Sequence, residues 1–469
     1  MIDTNTIKDR ILSFAYQGRL VESNKLSNDA IEAIQESIKG YIPVSEEEYL
    51  IDIPKRWKWT RLGYVTSNHG QVTPSETFSY IDVGTLDNVN HRLSSHENIM
   101  EAKDAPSRAK KVVETGDVIY STVRPYLHNI CIIDKAFSCT PIASTAFCVM
   151  HANEEVLDNK YLFYWLLTKE FDKYSNGDPS KGALYPAIGE KDLLRGVIPL
   201  PAISEQKAIV EKIEAVFEIL DKINVLQNQY DFNQEALKNK LIDAAIQGKL
   251  TEHMPEDGIA EDLFQQIQIE KNSLIKEKII KKAKPLPEIN NDEVPFDIPN
   301  NWKWVRWGSL SNQIQYGYNA PAQSSGRIKM VRITDIQNNT VKWETVPFCE
   351  ISEDDIPDYL LHINDILFAR SGATVGKSYL VESIEEDAVF AGYLIRTNFS
   401  NSLSAKYLKR FMESSLYWRQ LTNGTTATAQ PNCNAQTLSK MMVPLPPLAE
   451  QERIAKIIDD VFETINRAV

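Results

Sequence analysis

Residues 198–223 read IPLPAISEQKAIVEKIEAVFEILDKI, and residues 443–468 read VPLPPLAEQERIAKIIDDVFETINRA, an offset of 245 positions. Both stretches share a Pro-Leu-Pro run, a Glu-Gln pair and apolar residues at every third or fourth position. That spacing predicts an amphipathic helix that begins just after the prolines, with Ser204 as the N-cap of the first copy. The chain therefore uses one strand–proline–helix unit twice.

Two further repeats indicate a duplication of the whole chain. Residues 51–63 (IDIPKRWKWTRLG) match 296–308 (FDIPNNWKWVRWG), and residues 7–22 (IKDRILSFAYQGRLVE) match 237–252 (LKNKLIDAAIQGKLTE). Residues 204–250 predict one long helix, whereas the helix start at 448–469 has its matching end only at 7–22. We therefore expect a circularly permuted repeat, in which residues 1–22 complete the last helix and the termini lie close together. Ile7, Ile11 and Phe14 would cover its apolar stripe.

The motifs and their order resemble the DNA-specificity subunit of Type I restriction–modification systems, over nearly the whole chain. They are Pro-Leu-Pro-x-x-x-Glu-Gln, Trp-x-Trp-x-x-x-Gly and Ala-x-Gln-Gly-Lys/Arg-Leu. The resemblance implies an α+β fold with two α/β target-recognition domains related by pseudo-two-fold symmetry and joined by long antiparallel conserved helices. The expected parts are an N-terminal helix and link (1–50), the first target-recognition domain (51–201), central helices and link (202–295), the second target-recognition domain (296–446) and a distal helix (447–469).

The resemblance also implies a function. We expect a non-catalytic subunit that reads a bipartite DNA site and directs adenine methylation, and restriction when a nuclease partner is present. Its implied partners are double-stranded DNA, two methyltransferase subunits and the restriction/translocase subunits. We expect no cofactor on this chain, with S-adenosylmethionine, ATP and Mg²⁺ bound by partner subunits.

Charge is unevenly distributed along the chain. The net charge is −13, yet residues 51–201 hold 17 basic and 18 acidic residues, and residues 296–446 hold 14 of each. The acidic excess therefore belongs to the helices and links, which need not face phosphate. Since phosphate neutralisation supplies much of DNA affinity, we expect only modest DNA binding by the chain alone.

Several classes of protein are disfavoured by the sequence. No apolar run approaches 20 residues and no signal pattern opens the chain, so we expect a cytoplasmic protein. The five cysteines form no C-x-x-C pair, which predicts reduced thiols and no metal site. Motifs of amino-methyltransferases, many nucleases, zinc proteases and serine hydrolases are missing, so we assign no catalytic residue.

Arginine, asparagine, glutamine and aromatic residues in the predicted loops are the candidates for DNA contact, because these side chains read base edges or hold phosphates. Arg124 and Arg370 are expected at matched strand ends, with an ordinary surface ion pair as the alternative. The repeated tryptophans at 57, 59, 302 and 304 are expected to pack rather than stack on bases. The full set of candidates is Gly70, Gln71, Arg124, Lys181 and Tyr185 in the first domain, and Tyr316, Tyr318, Arg327, Lys329, Arg332, Arg370, Gln430, Asn432 and Asn434 in the second.

Residues 371–378 (SGATVGKS) nearly match a phosphate-binding loop, but the following residues do not predict the required helix. We therefore favour either a Gly-permitted loop beside DNA or a plain turn. Two other functions stay open. One is a fused methyltransferase or endonuclease with an unrecognised site. The other is a coiled-coil scaffold with two protein-binding domains.

Overall fold

A computed structural model describes residues 1–22, 36, 38, 41–177, 187–337, 339–424 and 433–467. The chain forms two compact units, Met1–Asn228 and Gln229–Val469. Each unit combines helices with small sheets, which confirms the predicted α+β class. The domain boundaries expected from the resemblance stay a prediction.

The last helix of the first unit continues into the second unit. Among the described residues, the helices of the first unit are α1 (Thr4–Tyr16), α2 (Leu62–Val65), α3 (Asn159–Leu166), α4 (Lys169–Asn176), α5 (Glu190–Arg195) and α6 (Ile203–Ile246). Its strands are β1 (Lys58–Arg61), β2 (Thr66–Ser67), β3 (Phe78–Ile81), β4 (Leu86–Asp87), β5 (Arg92–Leu93), β6 (Ile99–Met100), β7 (Ala109–Val112), β8 (Val118–Ser121), β9 (Ile130–Ile132), β10 (Thr140–Ser144), β11 (Phe147–Ala152) and β12 (Val197–Leu200).

Two four-stranded sheets form the body of the first unit, in the orders β6-β3-β10-β7 and β2-β11-β8-β9. In the first of these sheets β10 runs parallel to β3, and in the second β11 pairs antiparallel with β8. Strand β1 pairs separately with β12, and β4 forms a hairpin with β5.

The second unit repeats this plan. Its further helices are α7 (Ala260–Lys276), α8 (Trp307–Leu310), α9 (Ile356–Tyr359), α10 (Ala405–Phe411), α11 (Ser415–Gly424), α12 (Ala435–Lys440) and α13 (Leu448–Arg467). Its strands are β13 (Lys303–Arg306), β14 (Ser311–Tyr316), β15 (Ile328–Val331), β16 (Ile336–Gln337), β17 (Thr340–Val341), β18 (Phe348–Cys349), β19 (Ile366–Ala369), β20 (Ser378–Leu380), β21 (Ala388–Phe390), β22 (Leu394–Phe399) and β23 (Met442–Leu445).

The sheets of the second unit match those of the first, except that one of them has three strands instead of four. They have the orders β14-β22-β19-β20 and β18-β15-β21, with β21 parallel to β15. Strand β13 pairs with β23 as β1 pairs with β12, and β16 forms a hairpin with β17.

The glutamine of each Glu-Gln pair explains why that motif recurs. Gln206 is fully buried, accepts a hydrogen bond from the backbone of Asp158 at 2.9 Å and donates to the carbonyl of Pro201. Gln451 does the same with the backbone of Ser404 at 3.0 Å and the carbonyl of Pro446. Because Asp158 and Ser404 cap α3 and α10, each glutamine fixes the start of a long helix to the start of a short helix in the same unit.

The helix ends are duplicated with the same burial. Leu12, Ala15 and Tyr16 are buried on α1, and their counterparts at 242, 245 and 246 are buried on α6. Both helices end at a glycine with positive φ, Gly18 or Gly248. A Cβ there would lie 2.3 Å from Cγ of Pro54 or 2.4 Å from Cγ of Pro299. Only glycine therefore permits this close approach of the helix end to the domain start.

The position of α1 corrects one expectation. Thr4 donates to Asn224 at 2.6 Å and Lys8 pairs with Asp221 at 2.6 Å, so α1 packs against the beginning of α6 within the first unit. The stripe of the last helix is instead covered within the second unit by the end of α6. The prediction that α1 covers α13 was therefore wrong, whereas the proximity of the termini stays a prediction.

The buried face of α1 also differs from the expected one. Tyr16 is fully buried beside Tyr161 and Trp165, with ring centroids 4.8 and 5.0 Å away, while Phe14 is 41% exposed. The larger ring takes the inward position because its hydroxyl also reaches the carbonyl of Tyr161 at 2.6 Å.

Other predictions agree with the structure. Three of the four repeated tryptophans are buried and Trp304 packs against the core, as expected for packing residues. All five cysteines are free, and only Cys139 among them is not buried. Within the described residues, no helix is both long and apolar enough to cross a membrane.

Candidate nucleic-acid interface

In the second unit, the ends of several strands bring together residues that are far apart in sequence. Arg370 directly follows β19, and its guanidinium lies 4.7 Å from the ring centroid of Tyr316 at the end of β14. Its backbone N–H donates to the carbonyl of Tyr393 at 3.1 Å. Its Nε is buried and makes no hydrogen bond within the described residues. Because Nε is enclosed, a contact of this guanidinium with a ligand would use its terminal Nη nitrogens.

A groove of about 400 Å³ adjoins this pair. It is lined by Tyr318, Arg332, Ser371 and the turn between β21 and β22, which includes Tyr393. Tyr393 is 69% exposed, although no motif in the sequence selected it. An aromatic residue in a turn between two buried strands is the signal that could have identified it. Such an exposed ring is available to a base or a sugar.

Close backbone approach builds one wall of the groove. Tyr318 donates to the carbonyl of Phe390, and Gly392 donates to the carbonyl of Tyr318, both at 2.8 Å. A Cβ at Gly317 would lie 2.3 Å from the carbonyl oxygen of Ala391. The glycine between two candidate tyrosines is therefore needed for the strands to meet.

In the second unit, residues 433–435, at the end of the Gly-rich loop that the sequence predicts at 423–434, contact the same place. Cys433 donates its backbone N–H to the carbonyl of Arg370 at 2.9 Å, and Ala435 donates to the hydroxyl of Tyr316 at 3.1 Å. The side chain of Asn434 caps α12 by accepting a hydrogen bond from the backbone N–H of Thr437 at 2.8 Å. This side chain therefore has a structural role that does not require DNA. Gln430 and Asn432 lie outside the described residues.

Four other candidates of the second unit already have protein partners. Arg327 pairs with Glu353 at 2.5 Å, Arg332 makes a two-point contact with Asp335, and Tyr318 packs against Tyr359. Lys329 is buried, donates to the carbonyl of Trp343 at 2.8 Å and pairs with Glu386. A base contact by Lys329 would require breaking the buried hydrogen bond to Trp343 and the ion pair with Glu386. Its contact with DNA stays a prediction.

The segment 371–378 leads into strand β20 rather than into a helix. A phosphate-binding loop needs a helix N-terminus at this position. The segment therefore lacks the helix of a phosphate-binding loop, and both a plain turn and a loop beside DNA stay open.

In the first unit, Gly70 and Gln71 lie beside a basic strand. Gln71 forms an isolated bridge with Lys111 of β7, and Val72 donates to the carbonyl of Lys110 at 2.8 Å. Gly70 and Gln71 both lie exposed at the surface. Lys111 is buried against Glu190, which leaves Arg108 and Lys110 as basic groups that the sequence reasoning missed. The run PSRAKK at 106–111 was the available signal.

Arg124 lies in the turn after β8, exposed and with φ of 51°. It is not the positional match of Arg370. Strands β8 and β19 occupy equivalent places in their sheets, so Thr122 corresponds to Arg370, and Arg124 lies two residues farther along the turn. The prediction that Arg124 and Arg370 lie at equivalent strand ends was therefore wrong. The strands β8 and β19 are equivalent, but the turns that follow them differ.

In the first unit, residues 187–188, which follow the Gly-rich loop that the sequence predicts at 176–186, contact this turn. Ala187 bridges to Val123, and Ile188 donates to the carbonyl of Thr122 at 2.9 Å. Lys181 and Tyr185 lie outside the described residues. In each unit, the first described residues after the Gly-rich loop therefore bond to the turn that follows the central strand.

An ion pair anchors the turn that carries Arg124. Nε2 of His128 lies 2.6 Å from Oδ1 of Asp172 on α4. This hydrogen bond raises the pKa of His128 above its usual value, although burial of the ring acts in the opposite direction. The turn is therefore held to α4 most firmly when His128 is protonated.

Comparison with known proteins identifies the family. The model of the family described as "Type I restriction modification DNA specificity domain" matches residues 60–229 and 299–468. The chain belongs to this family. The two matches correspond to the duplicated frames, which confirms that the repeat in the sequence is a repeat of the specificity domain.

Curated relatives match almost the whole chain. The EcoAI specificity subunit of Escherichia coli is 24% identical, covering 98% of this chain and 89% of the relative. The EcoEI specificity subunit of Escherichia coli is 23% identical with the same coverage. This DNA-specificity protein therefore aligns with both relatives along nearly its whole length rather than in one domain.

Solved structures share the fold. A chain from a study described as the structural basis of assembly and conformational transition of the type I R-M system has a TM-score of 0.64 at 23% identity, covering 89% of this chain and 93% of that chain. The HsdS subunit from Thermoanaerobacter tengcongensis has a TM-score of 0.52 at 24% identity with the same coverage. Both agree with the α+β specificity fold.

Proposed function

We propose that this specificity protein is a non-catalytic subunit that reads a bipartite DNA site, one element with each unit, and directs adenine methylation by its partners. The observation that carries the proposal is the duplicated interface. In each unit a central strand ends in a turn with an arginine near it, and the residues after a Gly-rich loop bond to that turn. Two copies of one reading surface suit two separate short elements.

Methyltransferase subunits are the proposed protein partners, two per chain. Helix α6 carries exposed apolar side chains in both of its halves, which is unfavourable unless a partner covers them. Leu226 is 62% exposed in the first unit and Phe232 is 74% exposed in the second. Ile219, Val225 and Leu237 on the same helix are also exposed. Restriction/translocase subunits would join the full complex in the cytoplasm.

The chemistry would reside in those partners. S-adenosylmethionine is proposed to bind the methyltransferase subunits, and ATP and Mg²⁺ the translocase. The near balance of charge in residues 51–201 and 296–446 supports a division of labour. This chain supplies base contacts, while partner subunits supply much of the basic surface that neutralises phosphates.

Reconstitution tests the proposal. Methyl transfer from labelled S-adenosylmethionine to DNA is measured for the chain alone, the methyltransferase subunits alone and the mixture. We expect sequence-specific adenine methylation only in the mixture. Methyl transfer by the chain alone would favour a fused enzyme. Methylation or binding without sequence preference in the mixture would favour a protein-binding scaffold.

The partner surface has its own variants. The double substitution Leu226→Ser with Phe232→Ser is expected to weaken assembly with methyltransferase subunits at least about tenfold, because two exposed apolar side chains lose their burial in the complex. Val89→Ser is the matched control, since Val89 is 80% exposed but lies in the β4–β5 region. Equal assembly by the double variant and the control would move the partner site away from α6.

A further inference from the structure

We propose that His69, Asp117 and His151 in the first unit bind a divalent transition metal ion, with Zn²⁺ as the best chemical match. Nε2 of His69 lies 3.1 Å from Oδ2 of Asp117, and Nδ1 of His151 lies 2.9 Å from Oδ1 of the same carboxylate. One ligand atom from each residue lies within 4.8 Å of the others. The sequence predicted no metal site, because these residues come from three segments with no motif spacing.

The separations suit a tetrahedral ion. Zn²⁺ binds histidine nitrogen and carboxylate oxygen at about 2.0–2.2 Å, which places neighbouring ligand atoms roughly 3.3 Å apart. The observed contacts of 2.9 and 3.1 Å therefore need to open by only a few tenths of an ångström. Two imidazoles and one carboxylate leave a fourth position for water. Since the side chain of His151 is 38% exposed, an ion can reach the site from solvent.

The burial of Asp117 calls for a positive charge. Asp117 is fully buried and accepts the backbone N–H of Glu114 at 2.7 Å, which closes the turn before β8. Asp365 closes the equivalent turn before β19 by accepting from His362, and the guanidinium of Arg396 lies 3.5 Å away. Asp117 faces two imidazoles instead of an arginine. A buried carboxylate is unfavourable unless it is compensated, and a divalent cation held between Asp117 and the two imidazoles would compensate it.

A second carboxylate is placed to orient one imidazole. Nδ1 of His69, the nitrogen on the far side of the ring from Asp117, lies 3.6 Å from Oε1 of Glu114. Metal-bound histidines commonly donate their other N–H to a carboxylate, which directs the free lone pair toward the metal. Glu114 therefore lies on the side of the ring where it would accept the Nδ1–H of His69 when Nε2 binds an ion.

The second unit contains a cluster of similar composition that lacks these properties. His253, Asp257 and Glu450 also lie close together. However, Arg453 donates to both oxygens of Asp257 at 2.6 Å, and Glu450 accepts from the indole of Trp302 at 3.0 Å. A guanidinium already neutralises that carboxylate and would repel a cation. This cluster is therefore a matched control rather than a second site.

Metal binding would also affect the interface. His69 immediately precedes Gly70 and Gln71, and His151 belongs to β11, which pairs with β2. An ion at this point would tie the Gly70–Gln71 segment to the sheet. This consequence rests on the proposed function, whereas metal binding itself does not.

Titration of the untagged full chain tests the site without DNA. The protein is stripped with EDTA and gel-filtered, then titrated with Co²⁺ by visible absorption and with Zn²⁺ by calorimetry. We expect one ion per chain and a rise in melting temperature with Zn²⁺. His69→Gln and His151→Gln should each weaken binding at least about tenfold, while His253→Gln should leave it unchanged.

Two results would overturn the proposal. One is the absence of saturable binding to the folded wild-type chain. The other is equal affinity in wild type and in a folded His151→Gln variant, whose partly exposed position makes it the better tolerated of the two substitutions. Because neither readout uses DNA, failure here is distinguishable from failure of the proposed recognition function.

Discussion

Arg370→Ala tests whether the interface of the second unit reads bases. In the unbound protein the substitution removes a guanidinium stacked 4.7 Å from the ring centroid of Tyr316. Such a cation–π contact is worth about 0.5–1 kcal/mol at partly exposed sites. The substitution also removes Nε, which is buried and makes no hydrogen bond within the described part of the chain. We therefore expect the free energy of unfolding to fall by about 1 kcal/mol or less.

The expected effect on DNA recognition is larger. A two-point arginine–guanine contact contributes about 1–3 kcal/mol of discrimination, which corresponds to roughly 5–150-fold in affinity. Affinity is measured for the assembled methyltransferase complex on DNA in which the bases of each half-site are replaced one at a time. We expect Arg370→Ala to lose preference at one base pair of one half-site and to leave the other half-site unchanged.

Two further variants separate base contact from charge. Arg370→Lys keeps the charge but lacks the two-point geometry, so it should recover general affinity without the base preference. Arg195→Ala is the control, because Arg195 is an exposed arginine paired with Asp192 in the first unit and is not a candidate for DNA contact; we expect no change in base preference. A phosphate contact by Arg370 would instead weaken binding to all sequences and reduce the salt slope by about 1. Unchanged affinity, base preference and salt slope would refute the reasoning.

Three other predictions concern the first unit and the thiols. Tyr16→Ala should lower the free energy of unfolding of the first unit by about 3–5 kcal/mol, whereas Phe14→Ala on the exposed face should change it little; equal effects in denaturant titrations would contradict the placement of α1. The raised pKa of His128 predicts a stabilising contribution that is complete below the usual histidine pKa and is lost as pH rises through the raised value. Burial lowers the pKa of His91, so its effect on stability changes with pH in the opposite direction. The contribution of His128 is therefore isolated by comparing melting curves of wild type and His128→Asn across pH. Parallel pH profiles of the two proteins would exclude the ion pair. In the native chain a maleimide should label Cys139 first, because burial raises the pKa of Cys131 and Cys148 to about 12 and of Cys433 to about 11. Labelling of all five thiols in denaturant is the reference. Rapid labelling of Cys131, Cys148 and Cys433 in the native chain would contradict their burial.

The positions of the long helices could be predicted because their motifs occur twice in the sequence. The Pro-Leu-Pro and Glu-Gln motifs located the two long helices, and the structure adds the reason in the hydrogen bonds of Gln206 and Gln451. The sequence predicted that α6 ends at residue 250. In the structure α6 ends at Ile246, because Gly248 with φ of 70° stops it. The spacing of apolar residues does not indicate where such a helix stops. A glycine just after the last turn, which can adopt positive φ, is the signal that does.

The interface was less predictable because its residues meet only through the tertiary fold. Tyr393 and Arg108 lie beside selected residues but carry no motif of their own. Lys329 was chosen as a candidate because of its charge. All four residues of β15 are buried, so this strand does not alternate between buried and exposed side chains. The sequence pattern therefore did not indicate that the side chain of Lys329 is enclosed. The same limitation hid the cluster of His69, Asp117 and His151, which no spacing along the chain connects.

The orientation of α1 shows a different limitation. Residues 7–22 were correctly matched to 237–252, but a repeat specifies which segments are equivalent and not which copy packs against which helix. Either long helix offered an apolar stripe of the right period. The contacts of Thr4 and Lys8 with α6 decide the question within the first unit.

A map of methylated adenines in a genome that carries this chain and its methyltransferase partner tests the central claim most directly. The account predicts one motif composed of two specified elements separated by a fixed number of unspecified bases, and a change confined to one element when residues 296–446 are exchanged for those of a relative. A single uninterrupted motif, or a change in both elements after that exchange, would contradict recognition of one element by each unit.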